Sequence, residues 1–144
     1  MDEGKIKVKQ LSVGSSFVCA LLETGLVKAI DEEGSSVKFE LEADLDEFEY
    51  VACGHEHVLL LTKKGSVYSY GMGSRGQLGH GNSEDVTEDC KLIEALEGIK
   101  IIQISAGSWH SLALSEFGDV YSWGLNESGQ LGVDSTRDTS KIDL

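Results

Sequence analysis

Residues 54–79, GHEHVLLLTKKGSVYSYGMGSRGQLG, and residues 107–132, GSWHSLALSEFGDVYSWGLNESGQLG, align without a gap at a spacing of 53 residues. Such a duplication constrains the fold first, because each unit must bury its apolar face against a neighbour. The identical positions form a frame: Gly54/Gly107, His57/His110, Leu59/Leu112, Leu61/Leu114, Gly65/Gly118, Val67/Val120, Tyr68/Tyr121, Ser69/Ser122 and Gly71/Gly124. Both units close on the same limb, Gly76-Gln77-Leu78-Gly79 and Gly129-Gln130-Leu131-Gly132. A weaker copy over 13–30 aligns through Gly14, Leu21, Gly25 and Val27, with Phe17 in the histidine position and the limb missing.

The local signals inside a unit are β. Ile101–Ser105 and Ser111–Ser115 read as strands, Gly118-Asp119 as a turn, and Val120–Trp123 as the returning arm of a hairpin. In the first full unit Leu92-Ile93 is expected as a short linking strand before a turn at Glu97-Gly98. Seventeen glycines and no proline mean that glycine makes the corners. Short strands with a glycine at each corner predict an all-β chain of β-propeller blades. The expected division is a degenerate first blade with an acidic linker strand over 1–47, a blade over 48–99, and a truncated blade over 100–144. About two and a half units fall short of the roughly 4 to 8 blades that close a propeller. Uncovered end blades would suit a fragment, a short isoform, or self-association that completes the ring.

The stretch Gly71-x-Gly73-x-x-Gly76 spells the dinucleotide-binding fingerprint, which needs a helix whose N-terminal amides meet a pyrophosphate. Gln77-Leu78-Gly79-His80-Gly81-Asn82 is a poor helix, and the second unit has Asn126 in place of Gly73. The shared glycines therefore read as turns, and no cofactor is expected. Cys53, His55 and His57 would point one way on an extended segment, as metal ligands do, but the second unit holds Ala106, Ser108 and His110 there. His57 and His110 read as blade residues instead, and no metal site is assigned. The four histidines and many serines form no nucleophile pattern, and no Gly-x-Ser-x-Gly elbow is present, so no catalytic residue is assigned.

A net charge of −13 disfavours contact with nucleic-acid phosphates and anionic membranes, and leaves basic proteins as the favoured charged partners. No signal-type hydrophobic segment opens the sequence, and three irregularly spaced cysteines suggest reduced thiols inside a cell. Nine acids and one lysine fill 31–49. There Phe39, Leu41, Ala43 and Leu45 alternate with Glu40, Glu42, Asp44 and Asp46, so the four carboxylates would line one face of a strand. Such a row is either a solvated outer strand or a receptor for a basic tail. Four further contact candidates break the repeat or sit in its loops: Trp109, matched by Glu56; Arg75, matched by Ser128; and Asn126 and Glu127. Core packing is the competing role for Trp109.

The pattern Gly-x-x-His, then Leu-x-Leu, then Gly-x-Val-Tyr-Ser, then Gly-Gln-Leu-Gly resembles the regulator of chromosome condensation repeat. The resemblance implies a seven-bladed β-propeller fold and a non-enzymatic scaffold. The run 92–132 is most similar to a small chromatin-associated member of the family. That resemblance implies a nuclear setting, with histone H3 or a Jumonji-type histone-modifying oxygenase as partner. The family also contains a guanine-nucleotide exchange factor for a small nuclear GTPase, the alternative role, and members joined to ubiquitin-ligase domains, which nothing here matches. The proline usual in the family's linker strand is absent from Asp89-Cys90-Lys91-Leu92.

Overall fold

The structure is a computed structural model that describes residues 4–42, 45–132 and 142. Among the described residues eleven strands form three antiparallel sheets. Blade 1 holds β1 (Val8–Val13), β2 (Phe17–Leu22), β3 (Val27–Asp31) and β4 (Ser36–Phe39) in that spatial order. Blade 2 holds β5 (Phe48–Cys53), β6 (His57–Thr62), β7 (Val67–Gly71) and β8 (Val86–Leu92), likewise in order. Blade 3 has three strands among the described residues, with β10 (His110–Ser115) between β9 (Ile101–Ala106) and β11 (Val120–Gly124). The sole helical turn among the described residues is a 3-10 turn at Glu94–Leu96. Of the expected linking strand at Leu92-Ile93, Leu92 ends a longer strand, β8, while Ile93 lies beyond it and leads into the 3-10 turn that precedes the Glu97-Gly98 turn.

Strand alternation sends alternate residues of each blade to opposite neighbours. Val58 and Leu60 pack with Phe39, Phe48 and Val51 in a core between blades 1 and 2. Leu59, Leu61 and Val67, on the other face of the same strands, pack with Ile101, Ile104, Ala113 and Trp123 between blades 2 and 3. The result is two stacked cores with β6 fully buried between them. Side chains of β1 also bind the backbone of β5: Gln10 donates to Val51 O and accepts from Val51 N, each at 2.8 Å, and Ser12 Oγ accepts from Cys53 N at 3.0 Å.

The hairpin registers give the arc two ends. His57 pairs with Gly71 and His110 with Gly124, so loops 54–56, 72–81, 107–109 and 125–132 share one end. Leu61 pairs with Val67, which places the tight turns around Gly65 and Gly118 at the other. Val27 pairs with Phe39, so the chain leaving β4 is also at the turn end.

Candidate functional site

The framework histidine is the centre of a blade-to-blade clasp. His57, fully buried, lies with Nε2 2.9 Å from Ser111 Oγ. Ser111 Oγ donates to Gln77 O at 2.9 Å, so it accepts from the histidine and the imidazole carries its proton on Nε2. Trp123 Nε1 donates to the same Gln77 carbonyl at 2.8 Å. The Gly-Gln-Leu-Gly limb of blade 2 is thereby held by two side chains of blade 3. Burial lowers the His57 pKa to about 4, because a charged imidazole there would be cut off from solvent, and the neighbouring His110 acts in the same direction. Gly54 is fixed by the same packing: a Cβ there would overlap both the His57 ring and the Gly107 carbonyl.

The limb is also tied within its own blade. Ser69 Oγ donates to Leu78 O at 2.8 Å, and Ser122 Oγ donates to Leu131 O at 2.9 Å. Gln77 and Gln130 accept from Arg75 N and Ser128 N, both at 2.9 Å. Blade 1 has lost the limb and its serine together, with Ala29 at the serine position. At the junction of blades 1 and 2 the clasp is replaced by hydrocarbon. Phe17 takes the histidine position, and Val58 and Tyr70 take those of Ser111 and Trp123. Phe17 and Phe39 meet the Tyr70 ring at 5.9 and 4.9 Å between centroids. The sequence marks His57 as a residue of the repeat frame but does not single out Ser111 and Trp123; the usable signal was that three substitutions, scattered along the chain, change together between the two junctions.

The loop end gathers the residues that vary between units. His55 N donates to Ser108 O at 3.0 Å, and the His55 and Trp109 rings meet edge to face at 5.0 Å. Leu125 N donates to Trp109 O at 2.8 Å and Met72 N to Glu56 O at 2.9 Å, so the limb loops lie beside these turns. Arg75 and Glu127, both exposed, approach to 3.8 Å across the two limbs. Partly exposed Trp109 and Glu56 and exposed Met72, Arg75 and Glu127 therefore all lie at the loop end. Asn126 does not belong to it. It is 2% exposed, and its Oδ1 accepts from Leu131 N at 3.1 Å, so the side chain braces the limb and offers nothing to a partner.

The acidic row is not assembled as alternation suggested. β4 ends at Phe39, and 40–42 carry no strand; Leu45 N and Asp46 N instead turn back onto Glu42 O at 2.9 and 3.3 Å. Leu45 is exposed, and Asp46 accepts from Glu47 N at 2.9 Å and Lys64 N at 3.2 Å. Glu40 and Glu42 are exposed at the turn end, away from Trp109, and Asp44 lies outside the described residues. The apparent nucleotide fingerprint is a turn: no helix follows Gly76, Gly71 has φ 113°, and a Cβ on Gly73 would strike the Glu84 carbonyl. No group of three His, Cys, Asp or Glu fit to hold a metal occurs among the described residues. No helix there is long and apolar enough to cross a membrane.

Comparison with known proteins agrees with this architecture. Residues 64–114 match one profile described as Regulator of chromosome condensation (RCC1) repeat, and 48–77 and 101–130 match a second of the same description. RCC1 domain-containing protein 1 of Mus musculus is 55% identical over 80 residues, 56% of this chain and 21% of that protein. The chain thus spans about a fifth of that relative's length. Human WBSCR16 superposes with a TM-score of 0.83 at 26% identity, over 99% of this chain and 40% of its own. Prp20p from Saccharomyces cerevisiae, a protein with binding properties to Gsp1p and histones, superposes with a TM-score of 0.73 at 26% identity, over 94% of this chain and 35% of its own.

Proposed function

The chain belongs to the regulator of chromosome condensation (RCC1) repeat family, and we propose that it is a non-enzymatic interaction module whose loop end takes a lysine- or arginine-rich protein segment. Trp109 carries the reading. The repeat frame does not require an indole there, since Glu56 holds the place in the preceding unit, yet the ring stands partly exposed beside loops bearing Glu56 and Glu127. An aromatic face with carboxylates near it is a receptor for a side-chain cation, by cation–π attraction and ion pairing. The net charge of −13 attracts basic segments to the chain as a whole.

Histone binding by the similar Prp20p makes the histone H3 tail the first candidate, in a chromatin and nuclear setting. A Jumonji-type histone-modifying oxygenase is the second partner class, drawn from the family resemblance. The test is calorimetric titration with an H3 tail peptide. Trp109→Ala is expected to weaken binding by roughly fivefold or more at an unchanged thermal midpoint. Equal affinity of the variant and the parent chain would refute the role of this surface. Prp20p also binds Gsp1p, which keeps the exchange-factor reading in view. Faster nucleotide release from a small nuclear GTPase on adding this chain would favour it over the scaffold.

A further inference from the structure

The junction of blades 1 and 2 brings two thiols together. Cys19, on β2, is fully buried in the core between these blades, and partly buried Cys53, on β5, packs against the same core. Ser12 ties the two. It lies opposite Cys19 in the β1–β2 pair, so both side chains point to one face of blade 1. From there Ser12 Oγ accepts from Cys53 N at 3.0 Å, and Cys53 Sγ donates to Ser12 O at 3.5 Å. The Cys19 and Cys53 side chains also hydrogen-bond each other across the junction.

The repeat frame does not ask for these residues. At the junction of blades 2 and 3 the places of Ser12, Cys19 and Cys53 are held by Ala52, Leu59 and Ala106, which pack there as hydrocarbon. The third cysteine, Cys90, lies on β8, three strands and roughly 14 Å from β5, too far for a disulfide with Cys53. The hydrogen bond from the Cys19 thiol lowers the Cys53 pKa, with the Ser12 hydroxyl and the amides of Cys19 and Gly14 helping and burial opposing. The same contact, with burial, raises that of Cys19. The sulfur that carries charge is thus the one that reaches solvent, with a second thiol beside it.

We propose that Cys19 and Cys53 are a redox pair that a hydroperoxide oxidises to a disulfide joining blades 1 and 2, Cys53 reacting first and Cys19 resolving. The Cys53 thiolate attacks hydrogen peroxide, the O–O bond breaks, and Cys53 sulfenic acid forms while the departing hydroxide takes a proton to give water. The Cys19 sulfur then attacks the Cys53 sulfur. The S–S bond forms, the S–O bond breaks, and the hydroxide leaves as a second water with the Cys19 proton. Two thiols lose two electrons, and one peroxide is reduced to two waters. The bond closes the chain between residues 19 and 53, which constrains the unfolded state, and a dithiol reductant reverses it.

The test treats the full chain with hydrogen peroxide, alkylates the remaining thiols, and reads intact and peptide masses. One Cys19–Cys53 link within a single chain is expected, with Cys90 alkylated. The thermal midpoint is expected to rise by roughly 5 °C or more and to fall back with dithiothreitol. Cys19→Ala is expected to stop at Cys53 sulfenic acid, trapped by dimedone, and the mapping of the parent chain stands whether or not this variant folds. Free thiols at both positions, a link to Cys90 or between two chains, or an unchanged midpoint would each overturn the proposal.

Discussion

His57 is fully buried, and burial holds its pKa at about 4 against an ordinary value near 6.5. The unfolded chain therefore takes up a proton that the folded one refuses. The stability contributed is present above about pH 6.5 and is lost as the pH falls toward 4, with a span of roughly 3 kcal/mol. His80, also lowered to about 4 by burial, and His110, lowered by burial, act in the same direction. Denaturant unfolding between pH 7 and 4 is expected to show this slope, and His57→Phe to flatten it; an unchanged slope in the variant would place the effect elsewhere. Gly54→Ala is expected to cost about 2 kcal/mol or more in the same assay, since the added methyl meets backbone as well as the ring. Wild-type stability in that variant would mean the junction is looser than its geometry.

The two junctions inside the arc solve one packing problem with different chemistry. His57, Ser111 and Trp123 act as a set, so their contributions are coupled. A double-mutant cycle on His57→Phe and Ser111→Val is expected to give a coupling of about 1 kcal/mol, the double variant losing less than the sum of the singles. Strict additivity would show that the 2.9 Å contact contributes nothing of its own. The strands and hairpins were legible in the sequence because their alternation, glycine corners and repeat spacing are local. The clasp was not, because it joins residues 57, 77, 111 and 123, which only the stacking of blades brings together. The acidic row misled for a related reason. Residues 40–46 alternate like a strand, but β3 begins at Val27, opposite Phe39, and offers no backbone beyond it to pair with. Asn126 likewise read correctly as a loop residue, while its burial depended on the return of Leu131.

Across the whole molecule the charge and the repeat frame separate two tasks. Buried glycines, histidine and serines hold the blades in register, and residues free of that duty, Trp109, Arg75 and Glu127, collect at the loop end. Exposed carboxylates at both ends supply long-range attraction for a basic segment, so affinity is expected to fall as salt rises from 50 to 300 mM, in line with screening. A salt-independent affinity would point to an apolar contact instead. The most direct measurement is an NMR titration of the labelled chain with an H3 tail peptide, mapping which amides move. Shifts confined to 55–56, 72–75, 109 and 125–127 are the expected result. Shifts centred on 40–47 at the turn end, or none at all, would contradict a loop-end receptor.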